Sequence, residues 1–188
     1  MKPDFHTKIC DDWSLEVLNG LEIDEKQRAW VEIDASSIKQ NSEILKNRIS
    51  ENCLLMAVVK ADGYGHGAVT VANSALKGGA DCLGVATLKE GIELRQSGFK
   101  CSILVLGNLI KKKDLRTCFE LDLTPTLSSF REAIICQDIA SEKDSSANFN
   151  IHLKVDTGMT RLGCSFEEAE RIINKILELK NVALAGIY

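Results

Sequence analysis

The stretch Ala57-Val58-Val59-Lys60-Ala61-Asp62-Gly63-Tyr64-Gly65-His66-Gly67 decides how the 188-residue chain is read. Leu54 to Val59 is a continuous apolar run bounded by turn residues, which predicts a strand buried on both faces in a parallel sheet. Lys60 then stands at a carboxyl strand end, the edge where parallel α/β proteins bind ligands and do chemistry. A partly desolvated amine there supplies a neutral nucleophile for a carbonyl, which a Schiff base requires. Gly63, Gly65 and Gly67 allow positive φ and a close approach to a ligand. Tyr64 adds a hydroxyl able to reach a phosphate oxygen.

Upstream, Arg28 to Asp34 alternates as a half-buried strand, and Ile38, Asn41, Leu45 and Ile49 give a helical stripe with Ser36 or Ser37 as cap. Residues 1–27 are polar and acidic, gripped only by Leu15, Val17, Leu18 and Leu21, and read as an extension with a short helix outside the main fold. Downstream, helix and strand alternate. Val69 to Leu76 is a helix stopped by Gly78-Gly79, and Cys82 to Ala86 is a strand. Thr87-x-x-Glu90, Ser129-x-x-Glu132 and Ser165-x-x-Glu168 are capping boxes that open three helices. Ser102 to Leu106 is a core strand, Asp114 to Glu120 a short helix, and Leu121 to Thr126 a weaker strand that tolerates Pro125 only near its end.

Phe149 to Asp156 alternates apolar and polar residues, and Val182 to Tyr188 begins a further strand. Repeated strand–helix units predict a parallel sheet with right-handed crossovers. Six strands counted from the lysine strand arrive at nearly the spacing of a (β/α)8 barrel of about 250 residues. The expected fold is therefore α/β, a partial TIM-type barrel with about six strands present and its C-terminal part missing. An open doubly wound sheet is the structural alternative, although no dinucleotide turn marks it.

A second strand runs into a glycine-containing turn at His152-Leu153-Lys154-Val155-Asp156-Thr157-Gly158-Met159-Thr160-Arg161-Leu162-Gly163. Arg161, on a short loop at the same predicted edge, offers a bidentate guanidinium to a carboxylate. Asp156 reads as a structural carboxylate of that loop. His152 reads as a satisfied core histidine, and His66 as a hydrogen-bonding member of its own turn.

Composition narrows the classes. Hydrophobic content of 45% and charged content of 27% fit a soluble globular chain. A net charge of −4 excludes a nucleic-acid footprint, and Lys111-Lys112-Lys113 is the only basic cluster. Seven cysteines without C-x-x-C pairs or histidine-spaced metal patterns indicate reduced thiols and no metal site. No apolar signal-peptide segment or membrane-length run is present, so the expected location is cytoplasmic and no membrane partner is expected.

The unbroken run from Ala57 to Gly67 resembles the pyridoxal-phosphate lysine motif of alanine racemases, and the run from His152 to Gly163 resembles their second signature. The resemblance covers about residues 28–188, in motif order and in spacing. It implies an N-terminal barrel domain over 28–188 and pyridoxal 5'-phosphate as cofactor. Lys60 would be the catalytic and cofactor-binding lysine, Tyr64 a cofactor-binding residue and Arg161 the substrate-binding arginine. Lys154 matches the lysine often carbamylated in the family, which holds that arginine. Thr160 stands where the family most often has glycine.

The activity implied is interconversion of L- and D-alanine, supplying D-alanine for peptidoglycan, with a homodimer expected for the full-length enzyme. The second base in the family is a tyrosine from a C-terminal β-domain across the dimer interface. That domain and the later barrel loops are absent from this sequence, so the chain alone is expected to be weakly active or inactive. The alternatives are a serine or broad-specificity racemase, or a non-catalytic pyridoxal-phosphate-binding barrel.

Overall fold

The computed structural model describes residues 7–10, 30–144 and 146–188. The chain divides into two compact units, one ending at Asp81 and the other spanning Cys82–Tyr188. In the first, β1 (Thr7–Cys10) pairs in parallel with β2 (Val31–Asp34), Thr7 opposite Val31. The rest of the extension, with the helix expected there and with Leu15, Val17, Leu18 and Leu21, lies outside the described residues.

Helix α1 (Ala35–Lys46) starts at least two residues earlier than a cap at Ser36 or Ser37 implies. Asp34 is the cap: its carboxylate accepts the Ser37 N–H at 3.0 Å and the hydroxyl of Ser36 at 2.6 Å. A carboxylate with two oxygens serves more donors than a single hydroxyl. The buried face of α1 also differs from the expected apolar stripe, since Ala35 and Ser42 are buried while Ile44 and Leu45 are exposed. Small residues face inward because the chain after α2 (Ala68–Lys77) passes against the α1 backbone at Gly78.

Strand β3 (Met56–Val58) is shorter than the apolar run around it, and only one face is covered: Val59 is fully buried while Leu54 and Val58 are exposed. The expectation of two buried faces is corrected on this point. Successive strand residues point to opposite sides, and this unit packs one of them. The start of β3 is clamped by Asp81, which accepts the Leu55 N–H at 2.6 Å and the Lys46 ammonium at 2.7 Å. These donors, Lys46 first, hold the Asp81 carboxyl below the usual carboxylate range.

In the second unit β4 (Cys82–Val85), β5 (Ser102–Asn108), β6 (Thr124–Leu127), β7 (Phe149–Leu153) and β8 (Val182–Ile187) lie side by side in chain order, every pairing parallel. The helices between them are α3 (Leu88–Gln96), α4 (Lys112–Glu120), α5 (Phe130–Lys143) and α6 (Phe166–Leu177). With β3, six strands alternate with helices along the chain, as the spacing predicted, and the sheet is not closed. Leu83, Ile103, Leu127, Ile151, Leu153 and Ile176 are essentially inaccessible and form the core.

The box of Thr87 with Glu90 forms in both directions, the Glu132 carboxylate accepts the Ser129 N–H at 3.1 Å, and Ser165 accepts the Glu168 N–H. Pro125 is not at the end of a weak strand but second in a fully buried one. The register between β5 and β6 slips between Val105 and Asn108, beside Pro125, and the Gly107 N–H bonds to the Ala86 carbonyl instead. A bulge opposite the residue that has no N–H lets the sheet keep it.

Among the described residues, Cys53, Cys101, Cys118, Cys136 and Cys164 are free thiols. Burial pushes Cys118 up to about 12 and raises Cys136 further, so both act as inert core residues. Among the described residues no helix is long and apolar enough to cross a membrane.

Candidate active site

Two loops at carboxyl strand ends carry the residues singled out from the sequence. In the first unit the chain leaves β3 through Val59 and enters a left-handed turn. Ala61, Asp62, Gly63 and Tyr64 have φ of 52°, 54°, 61° and 57°. Left-handed backbone costs an L-residue roughly 1–2 kcal/mol, and three of these four are not glycine. Compensation is local: Gly63 N–H bonds to the Val59 carbonyl at 3.0 Å, Gly65 N–H to Ala61 at 3.1 Å and Gly67 N–H to Asp62 at 2.9 Å.

The Asp62 side chain accepts the Ala68 N–H at 2.9 Å and so caps α2. Glycine is required at position 63, where a Cβ would lie 2.8 Å from Val71 Cγ2. Glycine content announced a loop, whereas the left-handed run through Ala61, Asp62 and Tyr64 carries no signal in residue type. The turn holds Lys60 half-buried beside the fully buried Val59, with its Nζ 5.9 Å from the centroid of the Tyr64 ring. Tyr64 is exposed, its phenol open to a ligand, and His66 Nδ1 lies 3.1 Å from the Gly63 carbonyl within its own turn.

In the second unit Lys154 follows β7, half-buried, with its Nζ 4.3 Å from the centroid of the Tyr188 ring. The loop beyond it closes on itself. Asp156 N–H bonds to Cys164 O at 2.8 Å, and Cys164 N–H to Lys154 O at 2.9 Å. Inside it the Asp156 carboxylate accepts the N–H groups of Thr160 at 2.9 Å and Gly158 at 3.0 Å. Those bonds, Thr160 first, hold its carboxyl below the usual range, which bears out the structural role read for Asp156. Arg161 is presented, exposed, from this ordered loop.

Thr160 has φ of 55°, so the residue standing for glycine sits in the region glycine prefers. A β-branched residue there costs about 1–2 kcal/mol, while glycine would cost about 0.5–1 kcal/mol in chain entropy. Thr160→Gly is therefore expected to raise the denaturant midpoint by a margin worth about 0.5 kcal/mol, and a lower midpoint would contradict the strain argument.

His152, on β7, is half-buried, and burial holds its imidazole below the ordinary value of 6.5. A depressed base takes up its proton more readily in the unfolded chain, so its stabilising contribution is complete above 6.5 and is lost as pH falls through the lower folded value. Asp81, Glu142, Asp144 and Asp156, all held low, act in the same direction, but only as pH falls below unperturbed values of 3.8 to 4.5. The melting temperature is expected to drop between pH 7 and 5, and His152→Gln to flatten that drop. An unchanged slope in the variant would assign the titration elsewhere.

Sequence reasoning passed over Tyr188 and Thr126. The Tyr188 phenol lies 2.9 Å from the hydroxyl of the fully buried Thr126 and 3.3 Å from the Leu106 carbonyl. A polar residue ending an apolar strand was the available signal for Tyr188. A buried threonine beside a proline offered none.

The family model of the alanine racemase N-terminal domain matches residues 33–188. The alanine racemase of Prochlorococcus marinus is 57% identical over 166 residues, covering 88% of this chain and 42% of that protein. That of Nostoc sp. is 41% identical over 162 residues, covering 86% and 42%. Among solved structures, alanine racemase from E. faecalis superposes with a TM-score of 0.75 at 35% identity, covering 82% of this chain and 42% of that one. The Bacillus anthracis enzyme, solved with bound L-Ala-P, gives 0.73 at 32% identity, covering 85% and 40%. The chain spans about two fifths of the length of the curated relatives it matches. By the extent of the matched domain and the identity to these relatives, the chain belongs to the alanine racemase family.

Proposed function

We propose that the chain carries the amine-bearing part of a pyridoxal-phosphate-dependent racemase that interconverts L- and D-alanine. The observation that carries this reading is Lys60, a half-buried primary amine held at a strand end by a hydrogen-bonded left-handed turn that also presents Tyr64. That donor set fits the cofactor: an amine for an aldehyde and an exposed phenol for a phosphate oxygen. When bound, pyridoxal phosphate supplies the aldehyde and an electron-withdrawing ring that makes the substrate α-proton removable.

Lys60 holds the cofactor and then, at its Nζ, takes or returns the α-proton on one face of the substrate. Tyr64 donates its phenolic hydrogen to the phosphate. Arg161 meets a carboxylate with a planar fork of donors, which orients an amino acid without reading its side chain. Lys154, whose carbonyl closes the base of the Arg161 loop, is the residue at which carbamylation should be sought. The L-Ala-P bound by the Bacillus anthracis relative supports an alanine-sized ligand. The same reading assigns residues 28–188 to the racemase domain and 1–27 to an extension. It places the full-length protein in the cytoplasm as a homodimer serving peptidoglycan synthesis.

The test is to mix the purified chain with pyridoxal phosphate, record its absorbance, reduce with borohydride and map the labelled peptides. The expected result is a visible cofactor band and a label on Lys60 alone. Labelling spread over surface lysines, or none, would overturn the assignment.

A further inference from the structure

Tyr188 joins more of the second unit's carboxyl edge than any residue read from the sequence. Its phenol bonds to Thr126 of β6 and to the carbonyl of Leu106 in β5. Its backbone N–H bonds to Leu153 O at 3.1 Å, and its carbonyl accepts the Val155 N–H at 2.9 Å. Lys154 lies between those two partners, so register brings the lysine and the ring together. Two residues back on the same strand face is Gly186, where a Cβ would stand 2.5 Å from the His152 ring. The missing side chain makes room for His152, whose ring centroid is 6.2 Å from that of Tyr188.

The Tyr188 ring is thus pinned at its phenol end and at its backbone, with its face toward Lys154 Nζ at 4.3 Å. An aromatic face attracts an ammonium through the negative side of its quadrupole. We infer that Tyr188 is the positioning residue for Lys154: its anchored ring holds the side-chain amine in place at the carboxyl edge, at the base of the loop that bears Arg161. The functional meaning rests on the racemase reading, but the contact does not. Lys154 and Lys60 are read out on separate peptides, so failure of one assignment is distinguishable from failure of the other.

The test is limited acetylation of the 188-residue chain with an acetyl succinimidyl ester, read by peptide mass spectrometry. The Lys154 amine attacks the acyl carbon, hydroxysuccinimide leaves and a proton passes to buffer. The quantity compared is the rate at Lys154 relative to the exposed Lys100. Tyr188→Leu is expected to raise this ratio about fivefold, as loss of a cation–π contact implies. Tyr188→Phe, which keeps the aromatic face, should stay within about twofold of the wild type, and the Lys60 ratio should not move.

Equal ratios in Tyr188→Leu and wild type would overturn the inference. So would equal increases in the leucine and phenylalanine variants, which would credit the phenol's hydrogen bonds rather than the ring. A second measurement needs no variant: the ε-methylene protons of Lys154 should resonate upfield of those of Lys100 in the native chain, shifted by the ring current. Absence of that shift would also overturn it.

Discussion

Lys60→Ala is expected to abolish the cofactor band and to lower borohydride-fixed labelling of the chain by about a hundredfold or more, because no other group supplies the same attack on the aldehyde. Lys39, Lys77 and Lys100 are exposed or partly exposed amines outside the turn, and they provide the background. Lys60→Arg should be equally silent, since a guanidinium keeps the charge and is never a nucleophile near neutral pH. The turn should survive both substitutions. Its hydrogen bonds run between backbone groups from Val59 to Gly67, with the Asp62 side chain on Ala68 and His66 Nδ1 on the Gly63 carbonyl, and none of these uses the lysine side chain. Unchanged far-ultraviolet circular dichroism with lost labelling would separate chemistry from folding. Persistent labelling in Lys60→Ala would remove this residue from the proposal.

Gly78→Ala should produce a large loss of stability, since among the described glycines its Cβ would make the tightest backbone contact. Its Cβ would overlap the Lys39 carbonyl oxygen and stand 2.8 Å from Ser42 Cβ. Neither obstacle is the far end of a flexible side chain. The α1 backbone would have to withdraw from the chain that follows α2, loosening the Lys46–Asp81 clamp that begins β3. Overpacking against backbone costs about 3 kcal/mol, which for a chain of this size lowers the melting temperature by about 10 °C. Gly98→Ala is the control. Its Cβ would meet nothing within 4 Å, so only the strain of its positive φ remains. Equal losses in the two variants would mean that backbone strain, not the close approach of α1, sets the cost at Gly78.

The class of fold and the candidate residues were legible in the chain because they rest on local rules. Apolar runs of four to six residues separated by amphipathic helices prescribe parallel strands. The boxes at Thr87 and Ser129 cap helices through groups three residues apart: the first formed in both directions, and at the second Glu132 accepts the Ser129 N–H. Lys60, Tyr64 and Arg161 could be named because strand-then-glycine patterns mark carboxyl ends, whereas Lys154 was named by the resemblance to the alanine racemase family.

Tertiary structure decided what depends on partners distant in sequence. The buried side of α1 was chosen by the chain at Gly78, which admits Ser42 but not Leu45. Pro125 is kept inside the sheet by a bulge in β5, some twenty residues earlier. The left-handed path through Ala61, Asp62 and Tyr64 is paid for by hydrogen bonds that close only once the turn exists. Tyr188 reaches Leu106, 82 positions away, and Thr126, 62 positions away. Short-range periodicity determines which elements form and where reactive groups can stand. Close packing and the satisfaction of buried polar groups determine which face turns inward and which side chain holds a reactive one in place.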